Sequence, residues 1–295
     1  MIRITHKPFP RTGGRSREVE PLSRQKAQSL AEAVARRGLS QEAWQTLDRL
    51  YEAGIMTVSQ IGMARRTLRN YAQKRLIARY TYSPKEVVRD LGERFLLVDD
   101  GQIYTLGPVG VEIMAVRHGI RPTQQYLAYP FERILPALIL NEIIRRIETE
   151  AKKHEWALTR YSYEQAQLLK EDKVIFSPSA LISLEQEDQQ HFFALEYHDE
   201  KHGRDAWRKV QHYEDASESI LWEERWLGEN FPVVLAAFQH SDVGEGYRAA
   251  IGEMGPVSTD FYGRSLESLF QEGDLDSWVN IAKGNRGNIF PWLEK

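Results

Sequence analysis

The stretch TVSQIGMARRTLRNYAQKRLIARY, Thr57–Tyr80, decides how the rest of this sequence is interpreted. It contains no acidic residue, and its cations are Arg65, Arg66, Arg69, Lys74, Arg75 and Arg79. Apolar residues compatible with helical packing stand at Ile61, Leu68, Leu76 and Ile77. A helix with one apolar face and one cationic face can dock on its own domain and replace counterions at DNA phosphates. The pattern therefore predicts a DNA-recognition helix, and the alternative is a solvated basic helix face.

The sequence around this stretch is typical of a winged helix-turn-helix domain. Three successive helices are predicted at Gln41–Ala53, Val58–Met63 and Ala64–Arg75. Ser40 is an N-cap for the first helix and Gly54 is its stop signal. Two extended segments follow at 76–82 and 94–105, with a turn at Asp99–Gly101 in the second, and they predict the wing strands. Another helix is expected at Val109–His118.

Composition limits the classes of protein to be considered. The chain has 295 residues, of which 42% are hydrophobic, so there is room for two domains with real cores. No run approaches about 18 apolar residues and the N-terminal region lacks an apolar signal core, so we expect no membrane contact and a cytoplasmic location. The absence of cysteine excludes disulfides, thiol nucleophiles and cysteine-based zinc sites.

The net charge of -3 conceals a strong asymmetry along the chain. Residues 1–80 contain 16 Lys and Arg against 6 Asp and Glu, whereas residues 81–295 contain 23 against 36. A basic N-terminal part and an acidic remainder are expected where the N-terminal part approaches a polyanion, because the electrostatic field of the protein steers that part towards it. The alternative is that the two parts attract each other.

Four regions are predicted from these patterns: a flexible basic arm at 1–22, the winged-helix domain at 23–120, an α/β domain at 131–255 and an aromatic tail at 256–295. The segment 119–130 contains two prolines and little helical periodicity, so we place the domain boundary there. The tail is too aromatic to be disordered throughout. It either wraps its own domain or covers a partner.

The second half of the chain alternates between helical and extended patterns. The expected order is a long helix at Phe131–Lys153, strands at 156–161, 174–184 and 191–197, a helix at 204–226, a strand at 231–238 and a helix near 246–251. The segment at 231–238 is almost entirely apolar, which indicates a central strand covered on both faces. The second domain is therefore predicted to be a mixed-sheet α/β domain.

That order, with Pro178-Ser179-Ala180 in one strand and Leu195-Glu196-Tyr197-His198 ending the next, resembles the core of PD-(D/E)xK restriction-endonuclease-like folds. Placed after a winged helix, it is similar to the replication-relaxation family of plasmid and mobile-element proteins. The resemblance covers roughly residues 40–255. It implies action on double-stranded DNA in replication, relaxation or mobilisation, together with other proteins of the same element. Because winged-helix proteins commonly dimerise, a homodimer is also expected.

In the nuclease form of the resembled fold, an Asp and the Glu of an E-x-K pair bind Mg²⁺, and the Lys positions the attacking water. Here Ser179 stands at the Asp position and His198 at the Lys position. Only Glu196 fits, with Glu142 of the long helix as an additional ligand. One carboxylate is a poor metal site, so we expect an inactive domain with no metal and no cofactor. The alternatives are a Mg²⁺-dependent deoxyribonuclease that uses Glu196 with Glu142 or Asp199, and a protein-interaction adaptor.

Two further groups of residues suggest a zinc site and a stacking surface for single-stranded DNA, and each group also has a structural interpretation. His191, His198 and His202 surround one hairpin, but His191 and His198 would stand about 23 Å apart along a strand that rises roughly 3.3 Å per residue. They cannot share a zinc ion. The aromatic residues Trp207, Tyr213, Trp222 and Trp226 can offer stacking platforms for single-stranded DNA. Their helical spacing, however, favours a helix that packs on the sheet.

Overall fold

A computed structural model describes residues 22–81, 102–122, 131–271, 275 and 277–293. The chain divides into two compact units, Met1–Glu142 and Ile143–Lys295. This division falls within the helix Phe131–Lys153, so the first half of that helix belongs to the first unit. Most of the predicted arm at 1–22 and the turn at Asp99–Gly101 lie outside the described residues.

The first unit combines helices with one small sheet. Its helices are α1 (Arg24–Arg37), α2 (Gln41–Ala53), α3 (Val58–Ile61), α4 (Arg65–Gln73), α5 (Pro108–His118) and the first part of α6 (Phe131–Lys153). Its strands are β1 (Ile55–Thr57), β2 (Ile77–Thr81) and β3 (Gln102–Leu106), which form an antiparallel sheet in the order β1–β3–β2. Helices α2 to α6 lie at the predicted positions, although α3 ends at Ile61 and α4 at Gln73. Within the described residues, the two extended segments are reduced to β2 and β3.

Local capping explains where the first helices begin. The side chain of Ser40 accepts a hydrogen bond from the backbone N–H of Ala43, which starts α2. Thr57 and Gln60 form a capping box that starts α3 directly after β1. The core between the helices and the sheet is filled by buried apolar side chains, including Leu47, Leu50, Leu68, Tyr104, Val109 and Met114.

Helix α5 lies unusually close to the start of β2. The N–H of Gly107 donates to the carbonyl of Leu76 over 2.9 Å. A Cβ atom added at Gly110 would stand 2.0 Å from that same carbonyl oxygen and 3.2 Å from a methyl group of Leu47. Only glycine fits at position 110, because any side chain there would overlap backbone.

The second unit is built on a six-stranded mixed sheet. After the second part of α6, its elements are β4 (Ala157–Arg160), β5 (Leu168–Lys170), β6 (Lys173–Phe176), β7 (Ala180–Gln186), β8 (Gln189–His198), α7 (Ala206–Ser217), α8 (Leu221–Trp226), β9 (Val233–Phe238), α9 (Ser241–Met254), β10 (Phe261–Ser265), α10 (Leu266–Gln271) and β11 (Val279–Asn280). The sheet order is β11–β10–β9–β8–β7–β4, and β5 pairs with β6 separately. Strand β9 pairs in parallel with β8 on one side and with β10 on the other.

The mixed α+β class is confirmed, but several predicted boundaries are wrong. The segment 174–184 is two strands, because Pro178 lacks the N–H that a central strand needs, and Pro178 and Ser179 therefore precede β7. The segment 204–226 is two helices. The hydroxyl of Ser217 donates to the carbonyl of Glu214 at the end of α7, and the hydroxyl of Ser219 accepts from the N–H of Leu221 at the start of α8.

The aromatic tail adds β10 and β11 to the sheet of its own unit, where Phe261, Trp278 and Phe290 are buried. No helix in the described parts of either unit is long and apolar enough to cross a membrane.

Candidate nucleic-acid interface and a buried polar cluster

Helix α4 separates apolar and cationic side chains onto different faces. Leu68, Tyr71 and Ala72 are buried in the core of the first unit. Arg65, Arg66 and Arg69 are exposed. Because residues three and four positions apart share a helix face, Arg69 stands beside both Arg65 and Arg66. The structure therefore brings these three predicted DNA-binding residues together on one solvent-facing surface.

The other predicted DNA-binding residues differ from this group. Lys74 is exposed at the C-terminal end of α4, whereas Arg65 and Arg66 lie in the first turn of the helix. Arg75 is half-buried and adopts the left-handed conformation, with φ 59, at the turn into β2. Arg79 lies in β2 with only 7% of its surface exposed, so the structure separates it from the exposed arginines.

Buried polar contacts hold the elements that precede α4. The amide of Gln60 donates to the carbonyl of Leu138 in α6 over 2.8 Å, and its oxygen accepts from the N–H of Thr57 over 3.0 Å. The side chain of Asn141, also in α6, donates to the carbonyl of Ile55. Sequence reasoning missed these contacts, because residues about 80 positions apart give no local pattern.

In the second unit, the carboxylate of Glu196 is only 1% exposed and is fully hydrogen-bonded. The hydroxyl of Tyr213 donates to one oxygen over 2.7 Å. The ammonium of Lys209, over 2.9 Å, and the hydroxyl of Ser179 both donate to the other oxygen. Strand β8 supplies the carboxylate, α7 supplies Lys209 and Tyr213, and the turn before β7 supplies Ser179. The result is a neutralised polar cluster within the second unit.

The surroundings fix the protonation states in this cluster. Burial by itself raises the pKa of Glu196, but the charge of Lys209 and the hydrogen bond from Ser179 outweigh it, so the pKa lies below its ordinary value. Burial, followed by the adjacent carboxylate, raises the pKa of Tyr213 well above its ordinary value. Glu196 is therefore ionised near neutral pH while Tyr213 remains a hydrogen-bond donor.

A second polar group adjoins this cluster at the end of β8. The two ring nitrogens of His198 lie 2.7 Å from a carboxylate oxygen of Glu200 and 2.9 Å from the hydroxyl of Tyr247 in α9. Burial raises the pKa of Glu200, but the hydrogen bond and the charge of His198 together outweigh this effect. The pKa of Glu200 therefore lies below its ordinary value. The predicted Lys position is thus occupied by an imidazole that is held by two partners.

The carboxylate that the Mg²⁺ alternative requires is occupied by protein donors. Among the described residues, no group of three His, Cys, Asp or Glu side chains is arranged to hold a metal ion. The oxygens of Glu196 already accept from three side chains, and one of these is the cationic Lys209. Glu142, the other candidate ligand, is buried in α6 and belongs to the first unit. His191 and His198 lie near opposite ends of β8.

The aromatic residues of α7 and α8 divide into two groups. Tyr213, Trp222 and Trp226 are buried in the core of the second unit, as predicted. Trp207 is 46% exposed, so the prediction of a core position is wrong for this residue. The reason is its place on the helix, because Ala206 and Val210 on either side of it turn to the core.

Comparisons with protein-family models, with curated proteins and with solved structures find no significant match for this chain. The functional argument therefore rests on the residues and their geometry.

Proposed function

We propose that this protein binds duplex DNA through α4, which acts as the recognition helix of a winged helix-turn-helix domain. The observation that carries the proposal is the exposed group of Arg65, Arg66 and Arg69 on a helix whose Leu68 and Tyr71 are buried. Phosphates on a duplex are neutralised by cations presented in this way, and the first turns of a recognition helix meet base edges.

The arrangement around α4 supports the winged-helix interpretation. Helix α2, strand β1, the short α3 and then α4 are followed by the antiparallel pair β2 and β3. Strand β1 completes the sheet by pairing with β3. In such an arrangement the helix after the turn enters the major groove, and the strands after it form the wing.

The broader role proposed here is that of a cytoplasmic DNA-binding protein of a plasmid or mobile element, in replication, relaxation or mobilisation. Its support is the order of the two domains and the resemblance to the replication-relaxation family. We propose that the second unit is an endonuclease-like domain without catalytic activity. The support for inactivity is the donor set at Glu196, whose oxygens are occupied by Ser179, Lys209 and Tyr213.

The test is binding of a labelled random-sequence duplex, measured by fluorescence anisotropy across a salt series. The wild type is compared with the triple variant Arg65→Glu/Arg66→Glu/Arg69→Glu. A matched control, Lys152→Glu/Lys153→Glu/Lys170→Glu, makes the same change in charge at exposed positions of the second unit. Circular dichroism and thermal unfolding establish that both variants are folded.

The expected result is binding that weakens steeply with salt and is lost in the arginine variant but retained in the lysine variant. The slope of log K against log salt should fall by about 1 for each phosphate contact that is removed. Equal loss in both variants would indicate an unspecific charge effect, and unchanged binding in the arginine variant would overturn the role of α4. A protein complex that survives the arginine substitutions, without any DNA affinity, would favour an adaptor.

A further inference from the structure

The segment KHGRDAWRK, residues 201–209, concentrates positive charge in an acidic unit. It carries Lys201, Arg204, Arg208 and Lys209 against a single acidic residue, Asp205. Residues 143–295 as a whole contain 17 Lys and Arg against 28 Asp and Glu. A polyanion that approaches this segment therefore meets a local excess of positive charge.

An exposed tryptophan stands in the middle of this cationic segment. Trp207 is 46% exposed, and the neighbouring Arg204 and Arg208 are exposed as well. The adjoining side of the helix carries Ala206 and Val210, both of which are fully buried. Helix α7 is thus anchored by its apolar face and exposes Trp207 and Arg208 to solvent, and Arg204 is exposed in the turn just before the helix.

We propose that this surface, formed by Arg204, Trp207 and Arg208, binds single-stranded DNA. An unpaired base stacks on the indole ring of Trp207, and the adjoining phosphates pair with the two guanidinium groups. Single-stranded DNA is favoured over duplex, because the faces of bases within a duplex are covered by their neighbours. This inference extends the proposed DNA binding to the second unit. It depends on Arg204, Trp207 and Arg208 and not on the arginines of α4.

The single acidic residue within this segment does not block this surface. Asp205 lies 3.9 Å from Arg208, and both side chains are about 70% exposed, so their mutual attraction is weak and a phosphate can replace it. Glu200 is directed to His198, at 2.7 Å. Lys209 is directed to Glu196, at 2.9 Å. The cations that remain for a ligand are therefore Arg204 and Arg208, with Lys201 exposed nearby.

The test is binding of a labelled oligothymidine of about 20 nucleotides to the full chain, beside a duplex of equal length. The variant Trp207→Ala removes the ring, and Trp207→Phe keeps an aromatic surface. The control is Tyr163→Ala, which removes an aromatic side chain that is 55% exposed elsewhere in the same unit. A fourth variant, Arg204→Glu/Arg208→Glu, reverses the flanking charges.

Trp207→Ala should weaken oligothymidine binding about tenfold, whereas Trp207→Phe and Tyr163→Ala should change it less than about twofold. The Arg204→Glu/Arg208→Glu variant should lower both the affinity and its salt dependence. Duplex binding should be unchanged in Trp207→Ala. Conversely, the α4 triple variant should lose duplex binding and keep oligothymidine binding. The failure of one proposal can therefore be distinguished from the failure of the other.

Several outcomes would overturn the proposal. Equal affinities of Trp207→Ala and the wild type for oligothymidine would show that the indole is not a stacking surface. Tighter binding of oligouridine than of oligothymidine would assign the surface to RNA. An absence of oligonucleotide binding, together with a protein complex that Trp207→Ala disrupts, would assign it to a protein partner.

Discussion

Lys209 donates a hydrogen bond to Glu196 over 2.9 Å. The Lys209 side chain is partly exposed on α7, whereas the Glu196 carboxylate is almost completely buried. The same carboxylate accepts from Ser179 and Tyr213. In a metal-dependent nuclease the corresponding oxygens would be directed at a cation. Here the two oxygens of Glu196 accept hydrogen bonds that connect β8 with α7 and with the turn before β7. The cluster therefore contributes to the stability of the fold.

Replacing Lys209 by Met should destabilise the protein by about 2 kcal/mol, because it leaves a buried carboxylate without its cation. The figure is below the usual range for a buried pair, since about a third of the Lys209 side chain is exposed. Urea unfolding provides the measurement. The double variant Lys209→Met/Glu196→Gln should recover part of the loss, whereas Lys152→Met, at an exposed surface pair, should cost less than about 0.5 kcal/mol. A loss at Lys152 as large as at Lys209 would contradict the argument.

The stabilising contribution of ionised Glu196 should depend on pH. Its pKa in the folded protein is lowered from 4.5, so folding favours the ionised form. The contribution is therefore fully present above the unfolded-state pKa of 4.5 and is lost as pH falls through the lower folded-state value. Unfolding free energies of wild type and Glu196→Gln, measured from pH 7 down to about pH 3, should converge as the medium becomes acidic. A constant difference over this range would exclude the linkage.

Gln60→Ala should destabilise the first unit by about 2 kcal/mol, because it leaves the N–H of Thr57 and the carbonyl of Leu138 buried without this partner. Chemical unfolding followed by circular dichroism checks this expectation. Gln73→Ala, at the exposed end of α4, is the matched control and should change stability by less than about 0.5 kcal/mol. Similar effects at both positions would show that the buried bonds contribute nothing measurable.

Gly110→Ala should destabilise the protein by about 2 kcal/mol or more, because the new methyl group would overlap the carbonyl oxygen of Leu76. Gly252→Ala is the opposite case. It lies in α9 with nothing within 4 Å of the added atom, so alanine should stabilise its helix by up to about 1 kcal/mol. Thermal unfolding of both variants distinguishes the two effects. A neutral Gly110→Ala would mean that α5 moves away from β2 at little cost.

Arg69 and Arg79 should behave differently, although both belong to the same basic stretch. Arg69→Ala should lower duplex affinity and reduce the salt slope by about 1, with little effect on stability. Arg79→Ala should instead lower stability by about 1 kcal/mol or more, since its side chain is buried in β2. Anisotropy and urea unfolding of both variants give the two readouts. A selective loss of DNA affinity in Arg79→Ala, without loss of stability, would return Arg79 to the DNA surface.

The sequence by itself determined the local features of this protein. Helical periodicity located α2 and α4, the serine and glycine signals marked the limits of α2, and the basic stretch without acidic residues indicated a cationic surface. These features depend on residues within a few positions of one another, so the pattern carries them. The spacing of Lys209 and Tyr213, four residues apart on one helix, is also a local signal that both side chains face one partner.

Only the tertiary structure decided which residues are withdrawn from solvent and which partners they meet. The pairing of β2 with β3 buries Arg79, whereas Trp207 is exposed to solvent on α7. The aromatic tail became part of its own sheet because β10 pairs with β9. These outcomes depend on contacts between distant segments and on the direction in which each side chain leaves its element. A pattern read along a single chain contains no direct record of either.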